Sequence, residues 1–179
     1  MFFAGVLLTG LGSGYYHLEP DNQTLVWDRL PMAIAFMGLF AAVVGELISP
    51  RAAMGLLLPL LVVGISSVLW WAWTESAGAG DLRFYGLVQF LPVVLIPLML
   101  FIYPAPRNFV WFMVGLALLY ILAKVLEIVD HQLYRVLGGV VSGHALKHLA
   151  AAGATACVLV MLYRKKAKKG PATLFQHLL

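Results

Sequence analysis

Six long runs of apolar residues dominate the chain, and most of them have the length of a helix that crosses a lipid bilayer. The runs are Phe2 to about Tyr16, Leu30–Ile48, Ala52–Trp73, Leu82–Tyr103, Phe109–Val129 and about Leu137–Tyr163. A bilayer core about 30 Å thick requires about 20 apolar residues of helix, within a range of about 17–25, so only the first run is short. Pro, Gly or charged residues separate the runs, and these residues interrupt helices. The sequence therefore predicts an all-α, polytopic membrane helix bundle of six transmembrane helices in residues 1–169, followed by a short tail in residues 170–179.

The composition excludes several other classes of protein. Hydrophobic residues make up 62% of the 179 residues and charged residues 11%, whereas a soluble domain is about half apolar and about a quarter charged. A disordered chain, a disulfide-stapled miniprotein and a basic nucleic-acid-binding module are therefore excluded. The single cysteine, Cys157, permits neither an intramolecular disulfide nor a Cys-based zinc site.

The distribution of basic residues predicts how the chain is oriented in the membrane. With six spans, one face of the membrane carries Arg51, Arg107, Arg164, Lys165, Lys166, Lys168 and Lys169. The opposite face carries Arg29, Arg83, Arg135 and most of the acidic residues. Because cytoplasmic loops are enriched in Lys and Arg, both termini and the tail are predicted to be cytoplasmic.

Five polar residues in or beside the apolar runs are candidates for a functional site: Ser13, His17, Asp28, His144 and His148. Ionisable groups within membrane spans are costly and usually functional. Ser13 and His17 are four residues apart, as are His144 and His148, so each pair lies on one face of a helix. Two histidines at this spacing can bind one metal ion, but a catalytic zinc site requires a third protein ligand.

The alternation of six spans predicts that these residues lie at one membrane depth, near the external surface. His17 ends the first run on the outer side, Asp28 precedes the second, and the histidine pair lies early in the sixth. We therefore expect them to form a metal site. More ordinary roles stay open for two members of the set: Ser13 is also suited to helix packing, and Asp28 to an N-cap of the second helix.

The pattern resembles the alkaline ceramidase family, whose wider superfamily of membrane hydrolases includes the adiponectin and progestin receptors. The resemblance is carried by Ser13-Gly-Tyr-Tyr-His17, by Asp28 eleven residues later, and by His144-Ala-Leu-Lys-His148 near the C-terminus. It implies that Zn²⁺ is bound by His17, His144 and His148, with Ser13 and Asp28 beside the activated water. The family has seven spans, so six spans imply that its first helix is lacking. The acidic calcium-binding segment of the eukaryotic ceramidases has no counterpart, and the short chain is more similar to a bacterial inner-membrane relative.

The function that the resemblance implies is zinc-dependent, intramembrane hydrolysis of a lipid amide, most readily the N-acyl bond of a ceramide-like sphingolipid. Asp28 would act as general base. Ser13 would donate a hydrogen bond to the developing oxyanion, and a serine nucleophile is the competing role. The partners are a membrane lipid substrate and the bilayer, with no nucleic acid.

Three alternatives belong to other functional classes. A zinc-containing receptor on the same scaffold, non-enzymatic or weakly hydrolytic, would share all five residues. A haem-bearing electron carrier is disfavoured because axial histidines approach iron from opposite faces. A transporter is disfavoured because its site would lie at the membrane midplane.

A second polar group lies at the end of the fifth run, where Lys124, Glu127 and the adjoining Asp130 follow one another at three-residue steps. Lys124 and Glu127 can pair across one helical turn. We expect a structural ion pair between helices that helps to position the metal ligands without contacting the metal itself. Lys147 is expected to extend towards the lipid head groups.

Overall fold

The computed structural model describes residues 1–168, and within them the chain is all-α with no strand. Seven helices occur in this part of the chain: α1 (Phe2–Leu18), α2 (Leu25–Leu47), α3 (Pro50–Ser76), α4 (Arg83–Ile102), α5 (Arg107–Ile128), α6 (Asp130–Val136) and α7 (Gly143–Lys168). The predicted fold class is confirmed. The predicted tail, residues 170–179, lies outside the described residues.

Five of these helices are long and apolar enough to cross a membrane, namely α2, α3, α4, α5 and α7. The protein is thus a multi-pass membrane protein. Helix α1 has 17 residues, which at about 1.5 Å per residue gives a length of about 26 Å, at the short end of the range for a span. Helix α6 has seven residues and lies in the gap predicted between the fifth and sixth runs, where no helix was expected.

The start of α7 differs from the prediction. The apolar run begins near Leu137, but the helix begins at Gly143. Gly138 and Gly139 have φ of +67° and +77°, a left-handed conformation that glycine adopts without steric cost, and they turn the chain before the helix. The Ser142 hydroxyl then accepts the Ala145 backbone N–H at 3.0 Å and caps α7. Apolar composition alone could not reveal this turn.

The start of α2 also differs, and it corrects the N-cap role considered for Asp28. The helix begins at Leu25, so Asp28 lies inside its first turn, where a carboxylate interacts favourably with the positive end of the helix dipole. The preceding turn is held by Thr24, whose hydroxyl accepts the Asp21 backbone N–H at 3.1 Å. The Thr24 N–H donates to the Asp21 carboxylate at 2.6 Å and lowers the pKa of Asp21.

The first of two compact units, Met1–Pro104, contains α1 to α4, and α2 packs against the other three. Glycines bring α1 and α2 together: a Cβ on Gly5 would lie 2.6 Å from the Ala35 nitrogen, and one on Gly38 would lie 2.8 Å from the Phe2 nitrogen. Such close approach of small residues is typical of packed membrane helices. The core of this unit contains Ala33, Met37, Val68, Tyr85 and Val88.

The second unit, which begins at Ala105, contains α5, α6 and α7. A Cβ on Gly115 would lie 3.5 Å from Cys157 Sγ, and one on Gly153 would lie 3.4 Å from the Leu119 side chain. Gly115 of α5 thus faces Cys157 of α7, whereas Leu119, four residues later in α5, faces Gly153, four residues earlier in α7. The two helices therefore run antiparallel. This arrangement places the start of α7 beside the end of α5.

Candidate metal centre

The structure brings His144 and His148 together on the first two turns of α7. Their Nε2 atoms are 3.1 Å apart, and their ring centroids are 4.9 Å apart with the planes at 66°. The four-residue spacing produces this because residues one helical turn apart project from the same face. The two rings therefore bring their Nε2 atoms into contact on one face of α7.

The separation of 3.1 Å between the two Nε2 atoms fits two chemical states. One neutral imidazole can donate a hydrogen bond to the other. Two imidazoles on one tetrahedral zinc ion, with Zn–N bonds of about 2.0–2.1 Å, place their nitrogens about 3.3 Å apart. The observed separation is thus that of a hydrogen bond and lies about 0.2 Å below the value for two imidazoles on one zinc ion.

Three contacts within the second unit fix the helix start that carries this pair. Asp130 Oδ1 accepts the backbone N–H of His144 at 2.7 Å, and Ser142 caps the same turn. Gly143 lies so close to the Leu126 carbonyl oxygen and the Asp130 backbone that a Cβ would not fit without movement. Asp130, which adjoins the fifth predicted run, is the first residue of α6 and holds the backbone of His144.

Glu127 is the centre of a three-residue ion cluster in this unit. Lys124 Nζ lies 2.8 Å from Glu127 Oε2 within α5, as its three-residue spacing predicted. Lys147 Nζ lies 2.7 Å from Glu127 Oε1 and joins α7 to α5. The bond between helices is therefore made by Lys147, whose side chain is 20% exposed, and its predicted extension towards the lipid head groups is wrong. A carboxylate within an apolar span requires charged partners. Glu127 was therefore the feature of the sequence that could have indicated Lys147 as a second partner.

The remaining predicted residues, Ser13, His17 and Asp28, lie in the first unit. Ser13 is buried, with 8% of its surface exposed, Asp28 is half-buried and His17 is exposed. A Cβ on Gly12 would meet the Trp27 carbonyl oxygen and would lie 3.5 Å from the Asp28 nitrogen. The turn of α1 that carries Ser13 therefore packs against the first turn of α2 that carries Asp28. That His17 binds the same metal ion as the histidine pair of the second unit is proposed below.

One feature of the first unit was not anticipated from the sequence. Arg29, which precedes the second predicted run, lies in α2. Its guanidinium carbon is 4.0 Å from the centroid of the Trp71 ring and 5.3 Å from that of Tyr85. The two aromatic residues come from α3 and α4, so no local spacing indicated the contact. An arginine next to a candidate catalytic carboxylate is thus held by buried aromatic rings.

Comparison with known proteins adds no relative: no protein family, no curated protein and no solved structure matches this chain. The resemblance to the alkaline ceramidases is carried by the identity, spacing and order of five residues. Membership of that family stays a prediction.

Proposed function

We propose that this protein is a zinc-dependent membrane hydrolase of lipid amides, with His17, His144 and His148 as the zinc ligands. The observation that carries the proposal is the 3.1 Å separation between the Nε2 atoms of His144 and His148. Three imidazoles are the ligand set of several catalytic zinc sites, in which a fourth position stays open. We further propose, from the resemblance, that the substrate is a ceramide-like sphingolipid.

Bound zinc would supply Lewis-acid chemistry, polarising the amide carbonyl and lowering the pKa of water. The Asp28 carboxylate takes a proton from the attacking water as general base and passes a proton to the departing amine. The Ser13 hydroxyl donates a hydrogen bond to the carbonyl oxygen, on which negative charge develops. Water adds to the acyl carbon and the C–N bond breaks, so the products are a fatty acid and an amine.

The surroundings of the candidate residues suit a substrate with long hydrocarbon chains. On α1 the side chains of Leu11, Tyr15 and Leu18 are 66%, 52% and 82% exposed, and on α7 that of Leu149 is 69% exposed. Exposed apolar side chains on membrane helices contact lipid tails. An acyl chain can therefore remain in an apolar environment while its amide group reaches the polar residues.

The orientation in the membrane belongs to the same proposal. If α1 crosses the bilayer together with the five longer helices, both termini lie on one side. The basic residues at the end of α7, Arg164, Lys165 and Lys166, favour the cytoplasm for that side. The candidate residues then lie towards the external face, and we propose the inner membrane of a bacterium as the location.

The function is tested by incubating the purified, zinc-loaded protein with a ceramide and measuring released fatty acid and sphingoid base by mass spectrometry. Replacement of Asp28 by Asn should lower the rate by about 100-fold or more, because general-base catalysis contributes about 10²–10⁴-fold. Asp81→Asn removes a carboxylate of the α3–α4 turn and should leave the rate unchanged. No release of product by the wild-type protein would contradict the hydrolase and favour a receptor.

Asp130 offers a separate prediction about metal affinity. Asp130→Ala removes the acceptor of the His144 backbone N–H and should weaken zinc binding by about tenfold or more, as is usual when support for a ligand is lost. Asp130→Asn keeps an oxygen at that position and should bind zinc within a few-fold of the wild type. Competition with a chromophoric zinc chelator measures both. Equal affinity of the alanine variant and the wild type would show that this contact does not position His144.

A further inference from the structure

Arg29 carries an unsatisfied hydrogen-bond donor in the interior of the first unit. Its Nη1 atom is buried and has no hydrogen-bond partner, the one such side-chain nitrogen or oxygen found in the described part of the chain. Buried polar atoms almost always have a partner, and an exception requires an explanation. A ligand that accepts a hydrogen bond from the guanidinium would be such a partner.

The aromatic contacts fix the position of the guanidinium but supply no hydrogen-bond acceptor to Nη1. Trp71 and Tyr85, which are 3% and 7% exposed, have their ring centroids 4.0 and 5.3 Å from the Arg29 guanidinium carbon. An arginine that lies over an aromatic face gains cation–π attraction, and its N–H donors project in its own plane. Because the aromatic rings already fix the guanidinium before a ligand binds, binding costs little further side-chain entropy.

The charge of Arg29 is also without a direct counter-ion. Within residues 1–168 no carboxylate lies within 4.0 Å of its guanidinium nitrogens. Asp28 and Glu75 are near enough to interact electrostatically, but Glu75 accepts a hydrogen bond from Asn22 at 2.7 Å. A half-buried positive charge of this kind favours an anionic ligand.

From these observations we infer that Arg29 binds the oxyanion of a lipid, either the carboxylate of a fatty acid or the phosphate of a head group. The planar guanidinium matches both groups through paired N–H···O hydrogen bonds. A fatty acid would also be the product of the proposed hydrolase, and in that respect alone the inference rests on the proposed function. Binding itself requires neither zinc nor hydrolysis.

The test is equilibrium binding of radiolabelled palmitate and dioleoyl phosphatidic acid to the purified chain in dodecyl maltoside, which contains neither carboxylate nor phosphate. Arg29→Met keeps an unbranched apolar side chain beside Trp71 and should bind one or both probes about tenfold or more weakly, as expected for a lost charge-assisted hydrogen bond. The probe whose affinity falls identifies the source of the oxyanion. Methyl palmitate, which is neutral, should bind weakly and equally to both proteins.

Two controls separate this site from the metal centre and from general loss of structure. His144→Ala/His148→Ala should bind palmitate as the wild type does, so a failure of the hydrolase proposal leaves this result intact. Arg83→Met removes an arginine whose side chain is 92% exposed and should leave binding unchanged.

Unchanged affinity of Arg29→Met for both anionic probes would overturn the inference, as would equal binding of methyl palmitate and palmitate by the wild type. If Arg29→Met does not fold, Arg29→Lys provides the measurement, because lysine keeps the charge and loses the planar fork. The lysine variant should bind several-fold more weakly than the wild type, and wild-type affinity would again overturn the inference.

Discussion

Replacing His144 and His148 together by alanine is expected to remove the bound metal from the protein. The purified wild type should contain about one zinc ion per chain, and the double variant close to none, because two of the three proposed ligands are lost. Their Nε2 atoms are 3.1 Å apart, so both substitutions act on the same proposed metal site. Inductively coupled plasma mass spectrometry of the protein after dialysis against a weak chelator measures the metal content, and ceramide hydrolysis should be lost in parallel.

Two further variants assign the ligands individually. His131→Ala removes an exposed histidine of α6 and should leave the zinc content unchanged. His17→Ala should lower it, because His17 is the proposed third ligand. Zinc retained in the double variant would refute the metal centre as a whole. Zinc retained only in His17→Ala would remove that residue from the ligand set.

The second large effect is expected where α1 crosses α2. In Gly12→Ala the new Cβ would overlap the Trp27 carbonyl oxygen and lie 2.8 Å from its carbonyl carbon. These are backbone atoms, so the helices must separate, and overpacking of this kind costs about 1–3 kcal/mol. The free energy of unfolding, measured by titration with sodium dodecyl sulfate, should fall by that amount.

Gly14 provides the matched control, because it lies on the same helix and a Cβ there would meet nothing within 4 Å. Gly14→Ala should be neutral or stabilising by up to about 1 kcal/mol, since alanine is the better helix former. Equal destabilisation by the two substitutions would show that the crossing is not limited by space at Gly12. Because Ser13 and Asp28 adjoin this crossing, the activity of Gly12→Ala should also fall.

The sequence predicted the all-α membrane fold and most helix positions because both follow from local properties. A helix in lipid satisfies its backbone hydrogen bonds within itself, so a run of about 20 apolar residues is sufficient to indicate one. The start of α7 was placed too early because apolar residues continue through the turn at Gly138 and Gly139. There the backbone conformation of two glycines, rather than hydropathy, ends the preceding segment.

The His144–His148 geometry also followed from spacing, whereas other contacts of the candidate site did not. Lys147 pairs with Glu127, and Asp130 holds the backbone of His144, because antiparallel packing brings the end of α5 beside the start of α7. Arg29 meets Trp71 and Tyr85 because α2, α3 and α4 pack together. Such contacts join residues that are distant in the chain, and they depend on the register between helices.

The amino-acid sequence by itself determined that the chain is helical and membrane-embedded, and that its polar residues form pairs on single helix faces. These properties depend on hydropathy and on the 3.6-residue period of the helix, which act over a few neighbouring residues. Only the tertiary structure decided which glycines let backbones touch and which second lysine pairs with Glu127. It also decided which arginine lies over aromatic rings with an unpartnered hydrogen-bond donor. Those outcomes arise from packing between helices, where the position of one helix against another decides which atoms come within reach.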